Sequence, residues 1–210
     1  MKFVDRLRNA LNIQWFPNPC RLCEEEAGPA KAFCAECLAG FPEPPPLLTL
    51  ASGTVHAAFL YEAPVDGLIQ DFKFRDDLGA GRHLARLALP VLAAGAPQAL
   101  LPIPLHRSRL RQRGFNQSLE LAKCWSRDTG IPVFGQALVR ARATAVQSGL
   151  KGAERAANVQ GAFRALGLLP AHVALVDDVY TTGATCAAAA EVLLTAGVRR
   201  VDVWCLARVP

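Results

Sequence analysis

Residues 171 to 190, A-H-V-A-L-V-D-D-V-Y-T-T-G-A-T-C-A-A-A-A, decide how this chain is read. Val173, Ala174, Leu175 and Val176 form a continuous apolar run, the habit of a strand covered on both faces in a parallel sheet. Asp177 and Asp178 stand where that strand is predicted to end. Tyr180, Thr181, Thr182 and Gly183 make a hydroxyl-rich turn, and the alanines and leucines of 184 to 196 favour a helix. Open α/β sheets take their ligands at the carboxyl ends of parallel strands. A helix amino terminus there, with Gly183 allowing close backbone approach and Thr181, Thr182 and Thr185 adding donors, favours a phosphate. Two adjacent carboxylates repel a phosphate and instead suit ribose hydroxyls, or a Mg²⁺ that such hydroxyls also contact. The implied ligand is a phosphorylated sugar.

The 210 residues, 51% hydrophobic, suffice for one core and a small appendage. The formal charge of +5 is unevenly spread. Residues 101 to 165 hold eleven Lys and Arg against three acids, so the remainder of the chain is net acidic. Positive charge concentrated beside a phosphate-binding turn suits a pyrophosphate-bearing ligand, a nucleic acid, or both. Met1 to Ala10 includes Lys2, Asp5, Arg6 and Arg8 and lacks the apolar stretch of a secretory signal. The uncharged stretch 87 to 105 contains Pro90, Pro97, Pro102 and Pro104, so no membrane span is expected there.

Phe3, Val4, Leu7 and Leu11 fall at helical spacing, which predicts a short amphipathic helix within 1 to 19. Cys20, Cys23, Cys34 and Cys37 follow as two C-x-x-C pairs. Paired thiolates of this kind are the usual ligands of a structural Zn²⁺; the alternative is four reduced, metal-free cysteines in a cytoplasmic protein. The run F-P-E-P-P-P at 41 to 46 predicts an extended spacer. Three segments result: a helix and four-cysteine module at 1–42, a linker at 43–50, and an α/β domain at 51–210.

Within that domain, 54 to 61 reads as a strand and the segment after Pro64 as a helix carrying Leu68, Ile69, Phe72 and Phe74, with Lys73 and Arg75 beside the aromatics. Residues 84 to 93 are expected to be helical with an interruption at Pro90, and 99 to 104 to form a short buried strand. Arg107, Arg109, Arg111 and Arg113 recur at every second position, which predicts an extended or turning basic loop that binds an anion. Asn116 or Ser118 can cap a helix ending near Gly130. Residues 131 to 139 read as a strand, and 140 to 158 as a polar insert of the kind that covers active sites. Short strands are expected at 161 to 164 and 201 to 206. His56, His83, His106 and His172 make no ligand pair by spacing, and only His106 falls near the expected site. Cys124, Cys186 and Cys205 read as buried small hydrophobes.

V-A-L-V-D-D-V-Y-T-T-G-A-T resembles the phosphoribosyl pyrophosphate (PRPP) motif of type I phosphoribosyltransferases. Together with P-L-H-R-x-R-L-R-x-R-G-F-N-Q, Y-x-x-P-x-x-x-L-I-x-x-F-K-F and R-x-R-x-T-x-x-Q-x-x-L-x-x-x-E-R-x-x-N, it resembles the ComF family of competence-associated proteins. The resemblance implies a type I phosphoribosyltransferase fold, a parallel-sheet core with a flexible hood, preceded by a zinc ribbon. It assigns the ribose hydroxyls to Asp177 and Asp178 and the 5′-phosphate to Thr181, Thr182, Gly183, Ala184 and Thr185. The pyrophosphate side falls to Lys73, Arg107, Arg109, Arg111 and Arg113, and the hood to Arg140, Arg142, Gln147, Lys151 and Arg155. It further implies PRPP with Mg²⁺, structural zinc on Cys20, Cys23, Cys34 and Cys37, and a cytoplasmic role in natural transformation. There the partners are single-stranded DNA and a competence helicase or other uptake protein, with Phe33, Phe41 and Phe115 as aromatics for stacking. A metabolic phosphoribosyltransferase and a PRPP-sensing regulator are the alternatives. Thr181 stands where purine-salvage relatives carry an acid that meets the base, which counts against purine salvage.

Overall fold

The apolar run at 173–176 is the middle of a sheet in the computed structural model, which describes residues 18–28, 31–75, 77–93, 96–140 and 161–210. The amphipathic helix expected near the start and most of the polar insert lie outside the described residues. The chain divides into two units, Met1–Phe41 and Pro42–Pro210. In chain order the first contains helix α1 (Ala35–Ala39). The second begins with β1 (Leu48–Thr49), within the segment expected to be a linker, and β2 (Thr54–Leu60). It continues with α2 (Val65–Phe74), α3 (Leu78–Leu92), β3 (Ala99–Pro102), α4 (Arg107–Arg113) and α5 (Gln117–Thr129). It closes with β4 (Leu138–Arg140), β5 (Phe163–Ala165), β6 (His172–Tyr180), α6 (Ala184–Thr195) and β7 (Arg200–Arg208).

The main sheet has the order β1-β2-β7-β6-β3. β2, β7, β6 and β3 are parallel, and β1 joins antiparallel at the edge. Side chains alternate across it. Val173, Leu175, Val201 and Val203 enter a core with Ala189 and Leu193 of α6. On the other face α3 and α5 pack against the sheet. There Trp125 meets Trp204 edge-on with ring centroids 6.0 Å apart, and its indole N–H donates to the Ala85 carbonyl at 2.9 Å. Burial on both faces explains why the strand reads as uniformly apolar.

Several elements depart from the sequence expectations. β6 does not end before the acids: β7 accompanies it through Val179 and Tyr180, whereas β3 leaves at Pro102 opposite Val176. The acidic pair therefore sits inside a strand that has lost one neighbour. α3 starts at Leu78, where Asp77 caps the Ala80 N–H at 3.0 Å, and it runs through Pro90. Pro90 lies on the exposed side near the helix end, so the lost backbone bond leaves the packed face of Leu84, Ala85, Ala88 and Leu92 intact. The strand expected over 131–139 shrinks to a bridge between Val133 and Leu100, because a turn at Gly135 intervenes before β4. Among the described residues no helix is long and apolar enough to cross a membrane.

Candidate functional site

β3 is followed by helices on one face of the sheet, and β6 by α6 on the other. Neighbouring strands whose connections diverge in this way leave a crevice at their carboxyl ends. Asp177 and Asp178 stand at that crevice. Asp178 is 8% exposed, and its Oδ1 lies 2.9 Å from Lys73 Nζ at the end of α2. Asp177 Oδ1 accepts from the Asp178 N–H at 2.9 Å and from the Ser118 hydroxyl at 3.2 Å. Burial, and then the adjacent Asp178 charge, push the Asp177 carboxyl up to about 7 against the pull of that N–H, Lys73 and Ser118. Two carboxylates thus share one ammonium, an arrangement that favours diol donors or a cation.

Beyond Tyr180 the chain turns into α6 through Thr181–Gly183. Gly183 is left-handed at φ +72°, and a Cβ there would collide with the Tyr180 phenol, so the turn closes only around glycine. Asp177, Tyr180, the residues from Thr181 to Thr185 and Cys186 line one concavity at the amino terminus of this twelve-residue helix. The structure therefore brings Asp177 together with the whole predicted phosphate turn, while the adjacent Asp178 turns to Lys73.

The arginine-rich segment corrects a sequence expectation. It is a helix, not an extended loop: His106 Nδ1 caps the Ser108 N–H at 3.2 Å, and Gly114 ends it at φ +74° with its N–H on the Leu110 carbonyl. Alternate arginines do not trace a helical stripe, but they do make two i,i+4 pairs. Arg107 and Arg111 are exposed, whereas Arg109 and Arg113 are partly buried. Burial lowers the Arg113 guanidinium and the nearby Arg109 adds to it, whereas Asp178 and Asp177 oppose it, so Arg113 stands within reach of the acids' charge. Arg140, over the Phe163 ring at 5.4 Å, is likewise lowered by burial and by Arg109 and raised by Asp177. Arg142, Gln147, Lys151 and Arg155 lie outside the described residues.

Ser118 was readable only as an alternative cap. Asn116 takes that role through the Leu119 N–H at 3.4 Å and also donates to the Ile103 carbonyl at 3.1 Å, which frees Ser118 for Asp177. Tyr180 likewise carries no sequence signal beyond its place in the motif. His106 serves as the α4 cap, while His56 and His172 meet around Asp202 near the amino end of β7, away from this crevice.

In the first unit the four thiols converge. The sulfurs of Cys20, Cys23, Cys34 and Cys37 all lie within 4.8 Å of one another, with Cys23 and Cys34 at 3.7 Å. Sulfurs at tetrahedral positions about 2.3 Å from a zinc ion are about 3.8 Å apart, so this donor set fits the ion. Cys20 sits in a turn closed by the Glu24 N–H on its carbonyl, while Cys34 caps α1 and accepts the Cys37 N–H at 3.4 Å. Burial raises the Cys20 thiol, yet the N–H groups of Cys23, Cys34 and Leu22 bring it down to about 6. Cys37 is pushed up by the neighbouring sulfurs of Cys23 and Cys34. Such a cluster can hold a metal such as zinc, whose charge relieves the crowding of thiolates.

The molecule is thus an α/β protein with a mostly parallel sheet, an acidic pair beside a threonine turn, and a separate cluster of four cysteines. No family model matches the chain. It is 37% identical over 197 residues to DNA utilization protein YhgH of Salmonella typhi, covering 90% of this chain and 83% of the relative. It is 34% identical over 207 residues to Competence protein F of Haemophilus influenzae, covering 93% and 86%. Competence protein ComFC of Bacillus subtilis matches at 39% over 103 residues, 47% of this chain and 39% of the relative. The chain belongs to the ComF family.

Proposed function

We propose that residues 42–210 form a type I phosphoribosyltransferase-like domain that binds PRPP with Mg²⁺, and that the protein handles incoming single-stranded DNA during natural transformation. The observation that carries the pocket is the shared concavity of Asp177 and the turn at 181–185, with Asp178 next to Asp177 in the strand and Arg113 within reach of the charge of both acids. Asp177 and Asp178 would hold the ribose hydroxyls and the metal that accompanies PRPP. The turn would take the 5′-phosphate, and Arg109 and Arg113 the pyrophosphate. Mg²⁺ supplies charge neutralisation to a leaving pyrophosphate when bound. The four cysteines would hold zinc as a structural ion.

The nucleic-acid half of this reading draws on the names of the relatives, which speak of DNA utilization and competence. The exposed Arg107 and Arg111 support it, since phosphate contacts from such side chains supply sequence-independent affinity. A cytoplasmic setting and a helicase or other uptake partner accord with this role. With Thr181 in place of an acid, we assign PRPP the part of a ligand or effector; phosphoribosyl transfer would instead reveal itself as pyrophosphate release with an acceptor.

The test is calorimetry of PRPP with Mg²⁺ on the wild-type chain and on the double variant Asp177→Asn, Asp178→Asn. Binding in the first and its loss in the second is the expected result. A wild-type chain that binds no PRPP would remove the pocket from the proposal.

A further inference from the structure

Phe33, Phe41 and Phe115, the aromatics the sequence offers for stacking, are not free platforms. Phe33 is 3% exposed and packs edge-on against Phe41 at 5.2 Å, and Phe115 lies against Phe72 at 5.7 Å. Among the described residues one aromatic ring is largely open to solvent: Phe74, 68% exposed at the end of α2. Its placement is specific. The preceding residue, Lys73, is bound to Asp178, which ties the end of α2 to the acidic pair. The Arg113 guanidinium, which feels Asp178 and Asp177, lies 5.0 Å from the Phe74 centroid. The residue after the lysine that holds Asp178 thus carries an exposed apolar ring with a cation over one face, while α4 also presents Arg107 and Arg111 to solvent.

We propose that Phe74 is a stacking platform for a nucleobase at the mouth of the Asp177–Asp178 crevice. Every base has a π face, so a bare phenyl ring binds bases without reading their sequence, and an adjacent arginine adds cation–π attraction. The α4 arginines supply charge for phosphates of the same ligand. Two sources share this chemistry: a base of single-stranded DNA, and a free base held near PRPP. The inference deepens the reading of this site given above, and its test separates the two.

The experiment compares wild type, Phe74→Ala and Phe74→Leu for binding of labelled oligothymidylate and of an abasic strand of equal length, with PRPP calorimetry alongside. Phe74→Ala and Phe74→Leu are both expected to weaken oligothymidylate roughly tenfold, within the range measured for loss of one base–aromatic stack. The abasic strand and PRPP should bind as to wild type. Phe74→Trp keeps the platform and reports on it. Quenching of its fluorescence by oligothymidylate alone assigns the base to a strand, and quenching by free uracil or adenine only with PRPP and Mg²⁺ assigns it to an acceptor. Equal affinities of wild type and both variants for oligothymidylate, with an unquenched Phe74→Trp, overturn the platform even if PRPP binds. Equal weakening of the abasic strand also overturns it, since Phe74 then acts on the backbone contacts. Stacking observed without PRPP binding leaves the platform standing and removes the pocket.

Discussion

Lys73 Nζ lies 2.9 Å from Asp178 Oδ1, and the two side chains are only 17% and 12% exposed. The pair joins the end of α2 to the carboxyl-terminal part of β6, two elements far apart in sequence. Removing the ammonium leaves a buried carboxylate beside a second one. Lys73→Met should cost about 1–3 kcal/mol of stability, read from the urea midpoint, and adding Asp178→Asn should recover part of it. If the two substitutions simply add, the pair is not coupled and this account of Lys73 fails.

The neighbouring carboxyl sets a pH dependence of the opposite kind from an ordinary salt-bridged acid. Burial and Asp178 raise Asp177 to about 7 in the folded chain, above its unfolded value near 4. Between those values the folded state binds the extra proton, so stability falls as pH rises from about 4 to 7. Asp177→Asn should therefore melt above wild type at pH 8, with the gap closing by pH 4. A gap independent of pH would show that Asp177 does not titrate in this window. PRPP affinity, if it needs the carboxylate, should rise with pH over the same range.

Much of this arrangement was legible because the core strand is covered on both faces, which turns burial into the apolar run Val173 to Val176 and makes its boundary with the turn conspicuous. The Cys pairs were equally legible, since their spacing is their chemistry. The arginine helix was not. Its polarity hides amphipathicity, and what makes it helical is local capping by His106 and Gly114, which periodicity does not register. Nor was the continuation of β6 past its acids visible, because it depends on β7, contributed by the far end of the chain. Phe74 read as one more hydrophobic position of α2 until the fold left its ring outside.

The cluster of four cysteines predicts a metal content. Protein purified without added zinc should carry about one zinc ion per chain, measured by elemental analysis. Cys20→Ser removes the most buried of the four sulfurs and should abolish it, with loss of protease resistance in residues 18–41. Full metal occupancy in that variant would remove Cys20 from the ligand set.

At the opposite end of the sheet, Asp202 is fully buried and accepts from the Thr54 N–H at 2.8 Å, Arg200 Nε at 3.0 Å and His172 Nε2 at 2.8 Å, with His56 Nε2 at 3.9 Å. Burial raises the Asp202 carboxyl, but these donors outweigh it and hold the carboxyl below its usual range. Burial likewise holds His56 below its ordinary value, against the attraction of Asp202. A depressed histidine resists a proton that the unfolded chain accepts, so its contribution is present above about 6.5 and is lost as pH falls. The melting temperature of wild type relative to His56→Phe, which removes the titrating ring but keeps Asp177, should therefore fall between pH 7 and 5, opposite in sign to the Asp177 contribution in the same window. Asp202 adds a second loss only near pH 4 and below, where its unfolded form takes up a proton first. Asp202→Ala strands the Thr54 N–H and should cost about 2–3 kcal/mol at pH 7. A gap between wild type and His56→Phe that stays level from pH 7 to pH 5 would count against a neutral, buried His56.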